Sequence, residues 1–157
     1  MAGGAQLRLD RNAVDRLADL PDAAAALSGS VGGQVKIKVG HKWVLGKLRS
    51  TNLLEGAAGT AIIAAIDFVG EGDESHDGSL FNFNRGIGGF PRPGDVVAAV
   101  CHADLVALFG ARGRPHIEIG TVYPTSDIRA ALFIDPLLSK HFALLGSTGS
   151  GKSTATA

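Results

Sequence analysis

Gln34-Val35-Lys36-Ile37-Lys38-Val39-Gly40-His41-Lys42-Trp43-Val44-Leu45 is the stretch that decides the fold class. Val35, Ile37 and Val39 alternate with Lys36 and Lys38, the two-residue period of a strand with one covered face. Gly40-His41-Lys42 turns the chain, and Trp43–Arg49 reads as a second strand. Further along, Thr60–Val69 is apolar throughout, as a strand covered on both faces would be. Asp95–Val100, His116–Tyr123 and Arg129–Ile134 are three more strand signals. Pro124-Thr125-Ser126-Asp127 supplies turn chemistry between the last two. Leu80–Pro93, with Arg85, Gly86, Gly88, Gly89, Pro91 and Pro93, has room only for a short strand and an ordered loop. About six strands at short intervals, without long amphipathic helices between them, predict a mainly β fold. A small antiparallel β-barrel is the expected form.

Working outward, Asp10–Ser30 carries Val14, Leu17, Leu20 and Ala24 at helical spacing, with Asp10 as N-cap and Pro21 as a break. Ala103–Leu108 reads as a short helix closed by Phe109-Gly110. Gly70–Ser79 holds Glu71, Asp73, Glu74 and Asp77 without a basic residue, and predicts an exposed loop. The expected organisation is a helical arm over residues 1–30, a barrel over 31–135 and the start of a second domain over 136–157.

Composition limits the function classes. The 157 residues are 45% hydrophobic, enough to bury a core, and 15 basic residues balance 15 acidic ones. That balance argues against a whole-surface grip on nucleic acid or anionic membrane. The longest aliphatic runs, Ala61–Ile66 and Val96–Cys101, fall far short of the roughly 20 residues of a spanning helix. With no signal-peptide pattern in Met1–Arg11, a cytoplasmic protein without membrane partners is expected. Cys101 is the single cysteine, so no disulfide within the chain is possible; in its apolar run it is expected in the core. His41, His76, His102, His116 and His141 lack metal-ligand spacing.

The chemistry lies at the end of the chain. Gly146-Ser147-Thr148-Gly149-Ser150-Gly151-Lys152-Ser153 is a complete G-x-x-x-x-G-K-S phosphate loop, preceded by the apolar run His141–Leu145, which predicts a buried strand. A triphosphate must be held without steric obstruction. Glycines let backbone amides approach it, and a following helix adds its positive end. Gly146, Ser147, Thr148, Gly149, Ser150, Gly151, Lys152, Ser153 and Thr154 are the candidate ATP-binding residues. Lys152 is the candidate catalytic residue, reaching the β- and γ-phosphates, and the Ser153 hydroxyl the candidate Mg²⁺ ligand. Only four residues follow Ser153, so the chain is expected to be the front end of a larger ATPase and inactive alone.

Three stretches carry a family resemblance: Asn84-Arg85-Gly86-Ile87 with Phe90-Pro91 and Gly94-Asp95, then Ile119-Gly120-Thr121-Val122, then Ile134-Asp135-Pro136-Leu137-Leu138-Ser139-Lys140-His141-Phe142 running into the phosphate loop. Together they resemble HerA-type ATPases over roughly residues 30 to 157, the first part being similar to their N-terminal barrel. The resemblance implies an ATP- and Mg²⁺-dependent translocase of duplex DNA, assembled as a homo-oligomer, a hexamer in the family. It also implies a docked partner, either a NurA-like nuclease or a sirtuin-type or other defence effector. The barrel would serve assembly and partner docking.

Other readings stay open. The barrel is on one of them a recruitment module with ATP as a structural ligand; on another the chain belongs to a P-loop ATPase of a protein-secretion machine. The Asp10–Ser30 helix is either a docking arm or a cap on an open barrel end, the cap being favoured. Lys36, Lys38, Lys42, Lys47 and Arg49 lie in a stretch without an acid. They are read first as the solvated side of a strand pair, second as a phosphate-contacting face, third as a dock for an acidic surface such as Gly70–Asp77 of a neighbour. Arg85 and Arg92 are read first as loop residues bonding nearby carbonyls and second as contacts to a neighbouring subunit.

Overall fold

The computed structural model describes residues 3–56, 59–111, 113–140, 143, 145–147 and 149. In chain order the elements are β1 (Gly4–Asp10), α1 (Arg11–Ala18), α2 (Ala23–Ala26), β2 (Gln34–Val39), β3 (Lys42–Gly56), β4 (Gly59–Glu74), β5 (Leu80–Arg85), β6 (Val97–Ala99), α3 (His102–Phe109), β7 (His116–Thr121), β8 (Arg129–Phe133) and α4 (Ile134–Leu138). The fold is mainly β, with antiparallel sheets and few, short helices, as the alternation predicts. No helix among the described residues is long and apolar enough to cross a membrane.

One sheet runs β1-β4-β3-β2-β6, with β5 also on β4; β7 and β8 form a separate pair. β1 takes Ala61–Asp67 of β4 and β5 takes Gly70–Glu74 of the same strand. The β3–β4 ladder is bulged twice: Val69 of β4 is the extra residue opposite Leu45 and Gly46, and Arg49 of β3 is the extra residue between Leu48 and Ser50. Bulges bend a strand and increase its twist. At the first, a Cβ on Gly46 would lie 2.7 Å from Ile66 Cδ1, so the bent strand is close against its neighbour.

The bend brings distant strands together. Leu7 and Leu9 of β1 share one buried cluster with Val35 and Ile37 of β2, together with Val44, Leu48, Ile62, Ala64, Ile66 and Phe68. In the sheet, β4 and β3 stand between β1 and β2, so only a curled sheet lets them meet. The curl stops short of the expected closed barrel: among the described residues no ladder joins β1 to β6. A cleft of about 260 Å³ separates them, lined by Arg8–Asp10, by Ala13, Val14 and Leu17 of α1, and by Val97–Ala99. The reason is local. β6 is only three residues long, and α1 side chains rather than backbone span the gap.

The opposite face carries the second cluster, Ala24, Trp43, Leu45, Leu80, Val100, Leu105, Val122 and Ile128. β3 therefore serves both cores, with Val44 and Leu48 on one side and Trp43 and Leu45 on the other. Beside this second cluster Lys36 is buried with Asp104, which is wholly enclosed. The Lys36 ammonium lies 3.0 Å from the carboxylate, donates to Gly78 O at 2.8 Å and stands 4.8 Å from the Trp43 ring centre. Asp104 also accepts from the amides of Leu80 at 2.6 Å and Cys101 at 2.8 Å. The latter bond covers the N-cap amide of α3.

Before Gln34 the helical signal splits as Pro21 predicts. Asp10 caps α1 through Ala13 N at 2.7 Å, and Asp22 caps α2 through Ala24 N and Ala25 N. Val14 packs against the first cluster, the position of a cap on the curled sheet. β1, ahead of the helices, was not foreseen. The expected loop Gly70–Ser79 is corrected too: β4 continues to Glu74, and only Ser75–Ser79 turns. Two of its carboxylates, Glu71 and Glu74, pair with Lys42 and Lys38, while Asp77 stays exposed in the turn.

Candidate nucleotide-binding site

The β7–β8 hairpin leads to the phosphate-loop sequence. Its turn is pinned by Val122 N to Ile128 O at 2.9 Å and Thr125 Oγ1 to Val122 O at 2.6 Å. Val122 and Ile128 are buried in the second cluster, which attaches the hairpin to the curled sheet. His102 Nε2 and Asp127 meet at 2.7 Å, and this bond is the first cause of the lowered Asp127 carboxyl pKa. Asp22, besides capping α2, accepts from His102 N at 2.8 Å. The sequence reading did not find this chain of contacts; Asp127 within Pro-Thr-Ser-Asp was its one visible sign. Gly120, from the resemblance motif, sits at the β7 bulge with φ +151, in the region that favours glycine.

After β8, Ile134 N donates to Pro115 O at 3.1 Å and starts the short helix α4, whose Ser139 N returns to Asp135 O at 3.0 Å. The run expected as a buried strand is next. His141, Phe142 and Leu144 lie outside the described residues, while Ala143 and Leu145 belong to no strand and Leu145 is 88% exposed. The expectation of a buried strand over His141–Leu145 therefore falls largely outside the described residues.

Of the candidate ATP-binding residues, Gly146, Ser147 and Gly149 are described. Gly149 has φ +82, a conformation that side chains other than glycine rarely adopt, and open space surrounds the point where a Cβ would stand. Thr148, Ser150, Gly151, Lys152, Ser153 and Thr154 lie outside the described residues.

The basic stretch is placed differently from its first reading. Lys36 is buried, not solvated. Lys38 pairs with Glu74, Lys42 with Glu71 at 2.7 Å, and Arg49 with Asp67 at 3.1 Å. Lys47 alone of the five stands exposed without an ion pair among the described residues. Glu71 and Glu74 of the acidic stretch thus meet lysines of their own chain. The Lys42 hydrogen bond, reinforced by the Gly88 and Gly89 amides at 2.6 and 3.2 Å, lowers the Glu71 carboxyl to about 2. The same bond raises Lys42. Arg85 and Arg92 are exposed. Cys101 is half-buried at the start of α3 rather than in the core, and burial pushes its thiol up.

Comparison with known proteins gives the class first. Residues 117–157 match the family model described as the central domain of helicase HerA. The match begins in β7 and includes the whole phosphate-loop sequence. The particular relative is the DNA double-strand break repair helicase HerA of Pyrococcus furiosus, 39% identical over 66 residues, which are 42% of this chain. That stretch is 11% of the relative, so the chain spans about a tenth of the length of the protein it matches. Both findings support HerA-family membership, a family of helicases.

Proposed function

We propose that this chain is the N-terminal collar and Walker A loop of a HerA-like, ATP-dependent DNA translocase. The observation that carries the reading is a coincidence of position: the helicase-family match over 117–157 contains the complete Gly146–Ser153 pattern. On this reading residues 31–135 serve assembly and partner docking, and 136–157 open the motor domain. The working form is a homo-oligomer, a hexamer by analogy with the family. It acts in the cytoplasm on duplex DNA beside a nuclease or defence effector.

ATP and Mg²⁺ are the implied ligands. Gly149 supports the fit, since its left-handed backbone and the space beside it suit a loop that turns amides toward an anion. The loop from Gly146 to Thr154 would hold the phosphates, with Lys152 neutralising the outer pair and Ser153 serving the cation. Bound MgATP supplies a phosphoanhydride whose cleavage drives motion. The acidic groups that handle water in such motors are not assigned to any residue of this chain.

The test is ATP hydrolysis by the complete protein with and without duplex DNA. We expect DNA to stimulate turnover, and Lys152→Ala to lower it about 100-fold or more while the oligomer persists in sedimentation. Turnover indifferent to DNA would favour the secretion-type motor. An oligomer that falls apart in Lys152→Ala would make the nucleotide structural glue and the chain a recruitment module.

A further inference from the structure

The β7–β8 hairpin is attached at its turn and bare along its first strand. At the turn, Val122 and Ile128 are buried in the second cluster, and Asp127 meets His102 at 2.7 Å. Among the described residues no ladder joins the hairpin to the larger sheet, so side-chain contacts fix it there. Along β7, by contrast, every residue from Ile117 to Thr121 is exposed, Ile117 to 51% and Ile119 to 65%. Ile119 is the residue that the β7 bulge leaves without a cross-strand mate. A two-stranded ribbon is marginal in water unless something packs on it. Here the packing is confined to the turn and to β8, whose residues after Arg129 are all half-buried.

Three observations say what covers the bare strand. The helicase-family match starts at Ile117, so β7, β8 and the phosphate loop fall in one matched unit, while the sheet that holds the turn lies before it. The phosphate loop begins eight residues after Leu138, the end of α4, a tether of at most about 28 Å. Chain following the loop is therefore held close to the hairpin, at high effective concentration. Finally, the acid between the two isoleucines is already matched: Glu118 pairs with Arg129 at 3.8 Å. What β7 offers at this point is apolar surface rather than charge, which suits protein packing and gives a phosphate backbone nothing to hold.

We propose that the Ile117–Ile119 side of β7 is covered, in the complete protein, by the motor-domain chain that follows the phosphate loop. The hairpin is then a joint, with its turn seated in the collar and its first strand seated in the motor. The proposal rests on the motor reading above and names the surface through which motor and collar meet.

Two measurements test it. In a Cys101→Ser background, Ile119→Cys is placed in the 157-residue chain and in the complete protein, and maleimide modification at position 119 is followed by peptide mass spectrometry. Labelling is expected to be about ten-fold slower or more in the complete protein, and to stay slow at dilutions where that protein is a monomer. Equal rates overturn the proposal. Protection that disappears on dilution also overturns it, because a second copy is then the cover. The other variant is Ile117→Asp/Ile119→Asp. In the 157-residue chain it should leave the denaturant midpoint unchanged, since both positions are exposed there. In the complete protein it should lower DNA-stimulated turnover about ten-fold or more. Turnover that the pair of changes does not alter overturns the proposal and leaves the motor reading standing. A complete protein that neither hydrolyses ATP nor protects position 119 removes both.

Discussion

Asp104 joins three pieces of the molecule at one carboxylate: β2 through Lys36, the start of β5 through Leu80 N, and the start of its own helix through Cys101 N. Taking away one partner of a buried ion pair leaves the other charge stranded, at a cost of about 3–5 kcal/mol. Asp104→Ala should lose stability on that scale in equilibrium denaturation, and Lys36→Met/Asp104→Leu should lose less than the single change. Equal losses would mean that the carboxylate serves the amides alone. Glu71 gives a pH-dependent counterpart. Its folded pKa of about 2 lies below the ordinary 4.5, so the bond to Lys42 and the Gly88 and Gly89 amides stabilises fully above about pH 4.5. That contribution fades as pH falls from there toward 2. The stability lost in Glu71→Gln should accordingly be larger at about pH 6 than at about pH 3, measured by denaturant midpoint.

β3 is the element that makes one folding unit of two cores. Leu48 and Leu45, each 1% exposed, point into different clusters from one strand. Leu48→Ala and Leu45→Ala should each cost about 2–5 kcal/mol. In both variants Trp43 fluorescence, which sits in the second cluster, should move together with far-UV circular dichroism. A Trp43 transition unmoved by Leu48→Ala would show the cores to be independent. Elements with local causes were legible in the sequence. β2 followed from its alternation, α1 and α2 from Asp10 and Pro21, and the last hairpin from Pro124–Asp127. β1 was not, although Leu7 and Leu9 alternate with Arg8 and Asp10; the run is short, a strong helix cap adjoins it, and its partner lies more than fifty residues away. Glu71 and Glu74 were read as part of an exposed loop because the lysines that meet them come from strands the eye scans separately.

At the scale of the whole molecule, the phosphate-loop sequence was the most legible feature, since its spacing alone specifies it, and the helicase-family match falls on that same stretch. Whether a curled sheet closes depends on the length of β6 and on where α1 lies, and neither is a periodicity. The DNA-stimulated turnover expected of the complete protein belongs to this scale, because it needs a motor and a collar acting together. One further consequence comes from the pairing of Gly4 with Asp67. A ribosome adds about 5–20 residues per second, so the first strand leaves the exit tunnel seconds before its mate exists. Until then Leu7 and Leu9 have no sheet to cover them, and nascent chains would gain from a chaperone stationed at the tunnel mouth.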